Sequence, residues 1–344
     1  MNVLSLFDGM SCTRIALERL GIDVNHYYAS EIDKYAMKVS EENYPDIIQI
    51  GDVTDWQSWD IDWSSIDLVI GGFPCQSWSL AGRQLGDKDE RGKLFWVMLD
   101  VMKKVIENNP NAYYLMENVK MKKEFEEYIT FHTEQALPNV NKYLINSALV
   151  SAQNIVRYYW TNIPGVEQPE QRGIVLRDIL ETREIDVLSD KAIDYMNRSS
   201  DKWSGGKTRK DIYIKHESEK GMCLTANMHK GVPYGVIAVD KPNQINPSKK
   251  ANGVQPYMQD RVFHVDGKSH ALTREFASRT NVGDEQEVYW RKLTPIECER
   301  LQTVPDNYTN HVSNTQRYKM LGNGWTVDVI AHNLQNMEIN HREC

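Results

Sequence analysis

The sequence predicts an α/β fold in which a mostly parallel sheet carries helices on both faces. Two observations predict it. Within residues 1–164, short apolar segments typical of strands alternate with amphipathic segments typical of helices. The chain of 344 residues is also 41% hydrophobic and has no apolar run near the ~18 residues of a membrane span, which suits a large buried core.

The order of the elements follows from local signals. The segment NVLSLF (2–7) predicts a strand, and the helix-like CTRIALERLG after it is closed by Gly21. The strand NHYYAS (25–30) comes next, followed by a helix that Pro45 ends. Further strands are expected at 47–50, 67–70, 112–116, 143–150 and 157–163, with helices near 94–107 and 120–136. Ligands of such sheets bind at the carboxyl ends of the strands.

A change of composition predicts a second domain. From residue 165 the chain is rich in Gly, Pro, Asn and Lys with only short apolar runs, and it becomes regular again after residue 290. We therefore expect one domain from residues 1–164 and 291–344, and a smaller, loop-rich domain from residues 165–290. Residues 202–256 carry ten basic and four acidic side chains, although the whole chain has a formal net charge of −8.

Cysteine usage and the N-terminus limit the protein classes. The five cysteines are odd in number, scattered and without a CxxC pair, which predicts neither a disulfide framework nor a metal site. The first ten residues, MNVLSLFDGM, lack the basic start of an export signal, so a cytoplasmic protein is expected.

Polar residues at the first strand ends predict a nucleoside site. The turn FDGMS (7–11) has too few glycines for a dinucleotide pyrophosphate. Glu31 lies 22 residues after Gly9, where a carboxylate can hold ribose hydroxyls, and Asp52 at the third strand end can accept from an adenine amino group. An adenosine without phosphates indicates S-adenosylmethionine. Each acid alone is more often a cap or a surface charge, but together they favour the cofactor.

Cys75 lies in GGFPCQSWS, directly after an apolar strand. A single cysteine is usually a small inert hydrophobic residue. Here the loop 76–93 after it is long and polar, which is typical of a functional loop. The segment YYLMENV delivers Glu117 and Asn118 to the same expected edge, so a thiol and a carboxylate can converge there.

These segments resemble a known motif series. In order and spacing, the chain is similar to the C5-cytosine DNA methyltransferases. The resemblance rests on LSLFDGMSCTRIAL, YASEID, GDVTD, GGFPCQSWS, ENV, RKLTPIECERLQTVPDNY and MLGNGWTVDVI. It implies a Rossmann-like S-adenosylmethionine-dependent methyltransferase sheet with an inserted target-recognition domain at residues 165–290.

The resemblance also implies roles for individual residues. Cys75 would add as thiolate to cytosine C6, Glu117 would hold N3 and the 4-amino group, and Arg157 would contact O2. The loop 76–93 would close over a base flipped out of the duplex. Cofactor contacts are expected from Phe7, Asp8, Gly9, Glu31, Asp52, Val53, Leu94, Asn323 and Trp325. DNA contacts are expected from Gln76, Arg83, Arg91, Asn227, Lys230, Arg274 and Arg279.

One position departs from the family pattern. The family usually has Gln-x-Arg-x-Arg before the second domain, whereas this chain has Gln153 followed by Ile155 and Arg157. The first arginine is therefore missing, and Arg83 or Arg91 could replace its charge. Three functions remain open: an active DNA cytosine-5 methyltransferase, a catalytically silent DNA-binding homologue, and an RNA cytosine-5 methyltransferase.

The expected partner is double-stranded DNA, bound by a monomer. A cognate restriction endonuclease is a further candidate partner, since restriction-modification, phage protection and orphan regulation would leave the same sequence pattern. The basic excess of residues 202–256 favours contacts with DNA phosphates over a merely solvated surface.

Overall fold

The computed structural model describes residues 1–79, 84–181, 189–198, 208–216, 219–230, 236–239 and 289–338. Its strands are β1 (Asn2–Leu6), β2 (His26–Ser30), β3 (Ile47–Gln49), β4 (Leu68–Gly71), β5 (Tyr113–Val119), β6 (Asn141–Asn146), β7 (Val156–Thr161), β8 (Lys215–His216), β9 (Val236–Val239) and β10 (Tyr289–Lys292). Its α-helices are α1 (Cys12–Arg19), α2 (Lys34–Asn43), α3 (Leu94–Asn108), α4 (Lys123–Ala136), α5 (Asp190–Asn197), α6 (Arg209–Tyr213), α7 (Pro295–Leu301), α8 (Asn314–Asn323) and α9 (Val327–Leu334).

Seven strands form one sheet in the order β3-β2-β1-β4-β5-β7-β6. The pairs from β3 through β5 are parallel, whereas β7 runs antiparallel to both of its neighbours. The strand order reverses on either side of β1, and ligands of open α/β sheets bind where such a reversal occurs. This confirms the predicted α/β fold with a mostly parallel sheet. A small second sheet has the order β10-β9-β8.

The sheet separates two apolar layers. Along β4, Leu68 and Ile70 pack on one side and Val69 on the other, which is the two-residue alternation expected of a strand covered on both faces. The first layer includes α1 and α9, which pack against each other, and the second includes α3. Each fully buried side chain of this kind contributes roughly 1.5–3 kcal/mol. The strand ends that carry the polar residues are thereby held by a rigid core.

Several element boundaries differ from the sequence prediction. The strand expected at 143–150 is β6, which ends at Asn146 because the Asn146 side chain accepts from the backbone N–H of Ala148 and starts the 3₁₀ turn Ser147–Leu149. Asp52 does not end the third strand, since β3 stops at Gln49. The MLGNGWTVDVI segment forms two helices, because the chain leaves the helical conformation at Gly324.

Two further observations bear on protein class. Within the described part of the chain, helices are too short or too polar to cross a bilayer. Among the described residues, Cys12, Cys75, Cys223 and Cys298 are free thiols.

Candidate active site

Cys75 is held at the carboxyl end of β4 by a tight turn. Gly71 leaves no room for a side chain, since a Cβ there would lie 2.5 Å from the carbonyl oxygen of Leu6. Phe73 is buried, and its carbonyl oxygen accepts from Asn118 Nδ2 at 3.0 Å, which ties the turn to β5. Cys75 then begins the 3₁₀ turn Cys75–Ser77 and is half-buried.

Glu117 and Arg157 form an ion pair beside this turn. Glu117 is 7% exposed, and its Oε1 lies 2.9 Å from Arg157 Nε. The pairing of β5 with β7 places Arg157 opposite Val119, so that Glu117 and Arg157 are diagonal neighbours on one face of the sheet. The structure thus brings the three residues expected to be catalytic to the same pocket.

Burial and charge set the protonation of these groups. Burial raises the pKa of Glu117, opposed by the Arg157 guanidinium and by a hydrogen bond from Trp325. Burial also raises the pKa of the Cys75 thiol; the negative charge of Glu117 raises it further, and Arg157 lowers it. A proton on Glu117 would therefore make it easier to ionise Cys75.

Gly72 is the close-packed point of the pocket. A Cβ at this position would lie 2.7 Å from Glu117 Oε2, and 3.1 and 3.3 Å from Cζ2 and Nε1 of Trp325. The indole Nε1 of Trp325 donates to the same Oε2 at 3.0 Å. A side chain here would displace the carboxylate or the indole.

The pocket continues towards the expected cofactor residues. It has a volume of about 260 Å³ and extends from Cys75 and Glu117 to Phe7, Gly9 and Glu31. Glu31 Oε2 accepts from the backbone N–H of Gly9 at 2.8 Å, and its Oε1 accepts from the N–H groups of Ile32 and Asp33 at 2.7 Å. These bonds fix the carboxylate directly after β2, at the edge of the pocket.

The other expected cofactor residues lie in different settings. Asp8 lines the pocket, but its carboxylate accepts from Ser11 Oγ at 2.5 Å and Tyr27 OH at 2.7 Å, and burial raises its pKa to about 6. Asp52 accepts from the N–H and the hydroxyl of Thr54, both at 2.8 Å, and caps the turn Val53–Ser58. Asn323 and Trp325 line the pocket, whereas Asp52, Val53 and Leu94 lie outside its lining.

The loop 76–93 is anchored at both ends. Trp78 is 1% exposed and packs edge-on against Phe73 and Phe125. At the other end, Asp87 Oδ2 accepts from Tyr128 OH at 2.6 Å and from Trp96 Nε1 at 3.3 Å. These contacts hold the described residues Trp78 and Asp87 against α3 and α4.

Four of the seven residues expected to touch DNA lie within the described part of the chain. Gln76 is exposed and lines the pocket beside Cys75. Arg91 is more than half exposed and lies 3.4 Å from Asp89. Asn227 and Lys230 are exposed on a turn. Arg83, Arg274 and Arg279 lie outside the described residues, as does most of the basic stretch 202–256.

One feature of the site, the thiol of Cys223 near Arg157, was not predicted from the sequence. Burial raises the pKa of the Cys223 thiol, and the positive charge of Arg157 opposes this effect. Gly221 brings it there, since its N–H and C=O bond to Ala152 and Asn154 just before β7. Ile155, where the family pattern has arginine, is 6% exposed. No sequence signal marked Cys223, because the contact joins chain segments 66 residues apart.

Comparison with known proteins gives a consistent result. A family model described as C-5 cytosine-specific DNA methylase matches residues 1–338. The type II methyltransferase M.SsoII of Shigella sonnei is 30% identical over 339 residues, covering 96% of this chain and 78% of that protein. Type II methyltransferase M.HpaII of Haemophilus parainfluenzae is 28% identical, covering 95% of this chain and 86% of that protein.

Solved structures show the same fold at lower identity. The Entamoeba histolytica methyltransferase EhMeth superposes with a TM-score of 0.64 at 16% identity, and 96% of each chain is covered. The S. pombe Dnmt2 methyltransferase gives a TM-score of 0.58 at 17% identity, with 96% of each chain covered. The likeness places the seven-stranded sheet among Rossmann-like methyltransferase folds.

Proposed function

The chain belongs to the C-5 cytosine-specific DNA methylase family, and on that premise we propose that it methylates cytosine in double-stranded DNA with S-adenosylmethionine as methyl donor. The observation that carries the proposal is the convergence of Cys75, Glu117 and Arg157 in one pocket that continues to Glu31. Its relatives of moderate identity are type II DNA methyltransferases.

The pocket fits the proposed cofactor. Glu31 is a fixed carboxylate acceptor suited to ribose hydroxyls, Phe7 offers an aromatic ring, and Gly9 leaves open space where a Cβ would stand. We expect these residues, with Asn323 and Trp325, to hold S-adenosylmethionine. When bound, it supplies an electrophilic methyl group. Asp52 and Val53 lie outside the lining of this pocket, and their contact with the cofactor stays a prediction.

The chemistry follows from the thiol and the carboxyl. Cytosine C5 is a weak nucleophile, so we propose that the Cys75 sulfur adds at C6 and turns the ring into an enamine. Glu117 donates a proton to N3 as negative charge develops on the ring, and Arg157 beside it neutralises the carboxylate that remains. C5 gains the methyl group as the sulfonium of the donor becomes a thioether. A base then takes the C5 proton, the bond between C6 and sulfur breaks to release the thiolate, and N3 returns its proton to Glu117, which restores the aromatic ring.

The arrangement favours an active enzyme over a silent homologue. Arg157 pairs with Glu117 although Ile155 replaces the family's other arginine. The reacting base must leave the duplex to reach Cys75, and the loop 76–93 is expected to cover it there.

Transfer of labelled methyl groups tests the proposal. Wild-type protein, labelled S-adenosylmethionine and duplex DNA of diverse sequence should give labelled C5-methylcytosine, with Cys75→Ala as the inactive control. A parallel reaction on tRNA separates the RNA alternative. Label in tRNA but not DNA, or none in either, would reject the proposal. Bisulfite sequencing of DNA from expressing cells then identifies the target sequence and shows whether a restriction-modification role is plausible for the site found.

A further inference from the structure

Trp325 connects the two ends of the catalytic pocket. Its indole lines the pocket that extends from Glu31 to Cys75, and its Nε1 donates to Glu117 Oε2 at 3.0 Å. A residue expected only to contact the cofactor thus also touches the carboxyl that should hold the target base.

Hydrogen bonds to the side chain of Gln302 fix the chain on both sides of Trp325. Gln302 is fully buried, and its Nε2 donates to the carbonyl oxygens of Leu321 and Gly324 at 2.8 and 3.0 Å. Its Oε1 accepts from Thr326 Oγ1 at 3.0 Å. Because these bonds hold both sides of Trp325, the direction of its indole is set before any ligand binds.

The packing at Gly324 and Gly72 leaves the indole little freedom. A Cβ on Gly324 would lie 2.8 Å from Met10 Cε, so this turn is pressed against the segment that follows β1. At position 72, only glycine leaves space for both the Trp325 indole and the Glu117 carboxyl. A glycine from the cysteine motif therefore serves the contact between Trp325 and Glu117.

We propose that Trp325 is a positioning residue that holds Glu117 in place for the base. The proposal rests on the function proposed above. Both carboxyl oxygens of Glu117 are engaged in this structure, Oε1 in the ion pair with Arg157 and Oε2 as the acceptor of the hydrogen bond from Trp325. To donate to cytosine N3, Glu117 must take up a proton while one of these partners shares or releases its oxygen.

The indole N–H stabilises ionised Glu117, so removal of this donor raises the pKa of Glu117. Glu117 then stays protonated to higher pH. The alkaline limb of the pH–rate profile, where the rate falls as Glu117 ionises, therefore moves to higher pH. Loss of packing alone would lower the rate at every pH without moving that limb.

Covalent trapping on DNA with 5-fluorocytosine at a bisulfite-identified target site measures this effect. Addition of Cys75 at C6 and methyl transfer to C5 give a stable adduct, because C5 then carries fluorine and has no proton to lose in the elimination step. The rate of adduct formation is followed from about pH 6 to about pH 9 in the presence of S-adenosylmethionine. Trp325→Phe keeps a ring and removes the donor, whereas Trp325→Gln keeps a donor and removes the ring. We expect the alkaline limb to rise by about one pH unit in Trp325→Phe and to stay near the wild-type position in Trp325→Gln.

Two controls keep the test decisive. Trp160→Phe loses an indole bond to Thr130 Oγ1 at 2.9 Å outside the pocket, and its Tm shows what such a loss costs the fold. In a Glu117→Gln background, Trp325→Phe should slow trapping by less than about twofold, because the bond it removes acts through the carboxyl. The inference would be overturned if the alkaline limb of the pH–rate profile does not move in Trp325→Phe, or if it moves equally in Trp325→Phe and Trp325→Gln. Failure of the wild type to be trapped would instead overturn the proposed function.

Discussion

Replacement of Gly72 by alanine should slow the reaction and also destabilise the fold. The new Cβ would lie 2.7 Å from Glu117 Oε2, so the carboxylate or its neighbour must move by about 0.7 Å to restore an ordinary contact of 3.4 Å. A misplacement of about 1 Å in a catalytic group can cost about 100-fold in rate, so a loss of roughly 10- to 100-fold is expected. Overpacking of this kind costs about 1–3 kcal/mol of stability.

Single-turnover methyl transfer measures the loss without interference from binding. Enzyme is used in excess over duplex DNA at saturating S-adenosylmethionine, and Tm is recorded for each variant. Ala112→Val is the matched control for overpacking, since Ala112 is fully buried just before β5 and lies outside the lining of the catalytic pocket. A rate for Gly72→Ala within twofold of wild type, or a loss equal to that of Ala112→Val, would refute the reasoning about the close-packed pocket.

Three further predictions concern single side chains. Cys223→Ala removes the thiol whose electrostatic interaction with Arg157 helps to hold the guanidinium, and we expect about a fivefold lower kcat with an unchanged Tm; an unchanged kcat would exclude a role for this interaction. Burial holds the pKa of Asp8 near 6, against 3.8 in an unfolded chain, so the folded protein should lose up to about 3 kcal/mol as pH rises from about 4 to above 6. Asp8→Asn should therefore be more stable relative to wild type at pH 7.5 than at pH 4.5 in thermal melts, and a difference independent of pH would contradict this. Glu31→Gln should weaken binding of S-adenosylhomocysteine about 10- to 100-fold by calorimetry, and an unaltered Kd would remove Glu31 from the cofactor site.

The sequence was sufficient for the sheet and for the meeting of Cys75 with Glu117. Cys75 follows β4 and Glu117 lies near the carboxyl end of β5; these strands pair in parallel, and the carboxyl ends of such strands share one edge of the sheet. Arg157 could be placed by the family pattern, and the pairing of β5 with β7 explains why it reaches Glu117.

Side-chain contacts between distant segments of the chain could not be predicted from the sequence. The bond from Trp325 to Glu117 joins residues 208 positions apart, and it depends on how the turn at Gly324 packs on Met10. Asp8 illustrates the opposite case, because its position beside Gly9 suggested a cofactor contact while its carboxylate is bound inside the protein by Ser11 and Tyr27. The position of the strand ends in the sequence shows which residues lie at the edge of the sheet. It does not show which hydrogen-bond partners their polar atoms have.

Peptide mapping of the adduct formed on 5-fluorocytosine DNA tests the central claim most directly. Two thiols, Cys75 and Cys223, lie near Arg157, and only the first stands at the strand end where the base should enter. The account predicts a cofactor-dependent adduct on Cys75 that persists in Cys223→Ala and is absent from Cys75→Ala. An adduct on Cys223, or none on wild-type protein that methylates DNA, would contradict the assignment of Cys75 as the nucleophile.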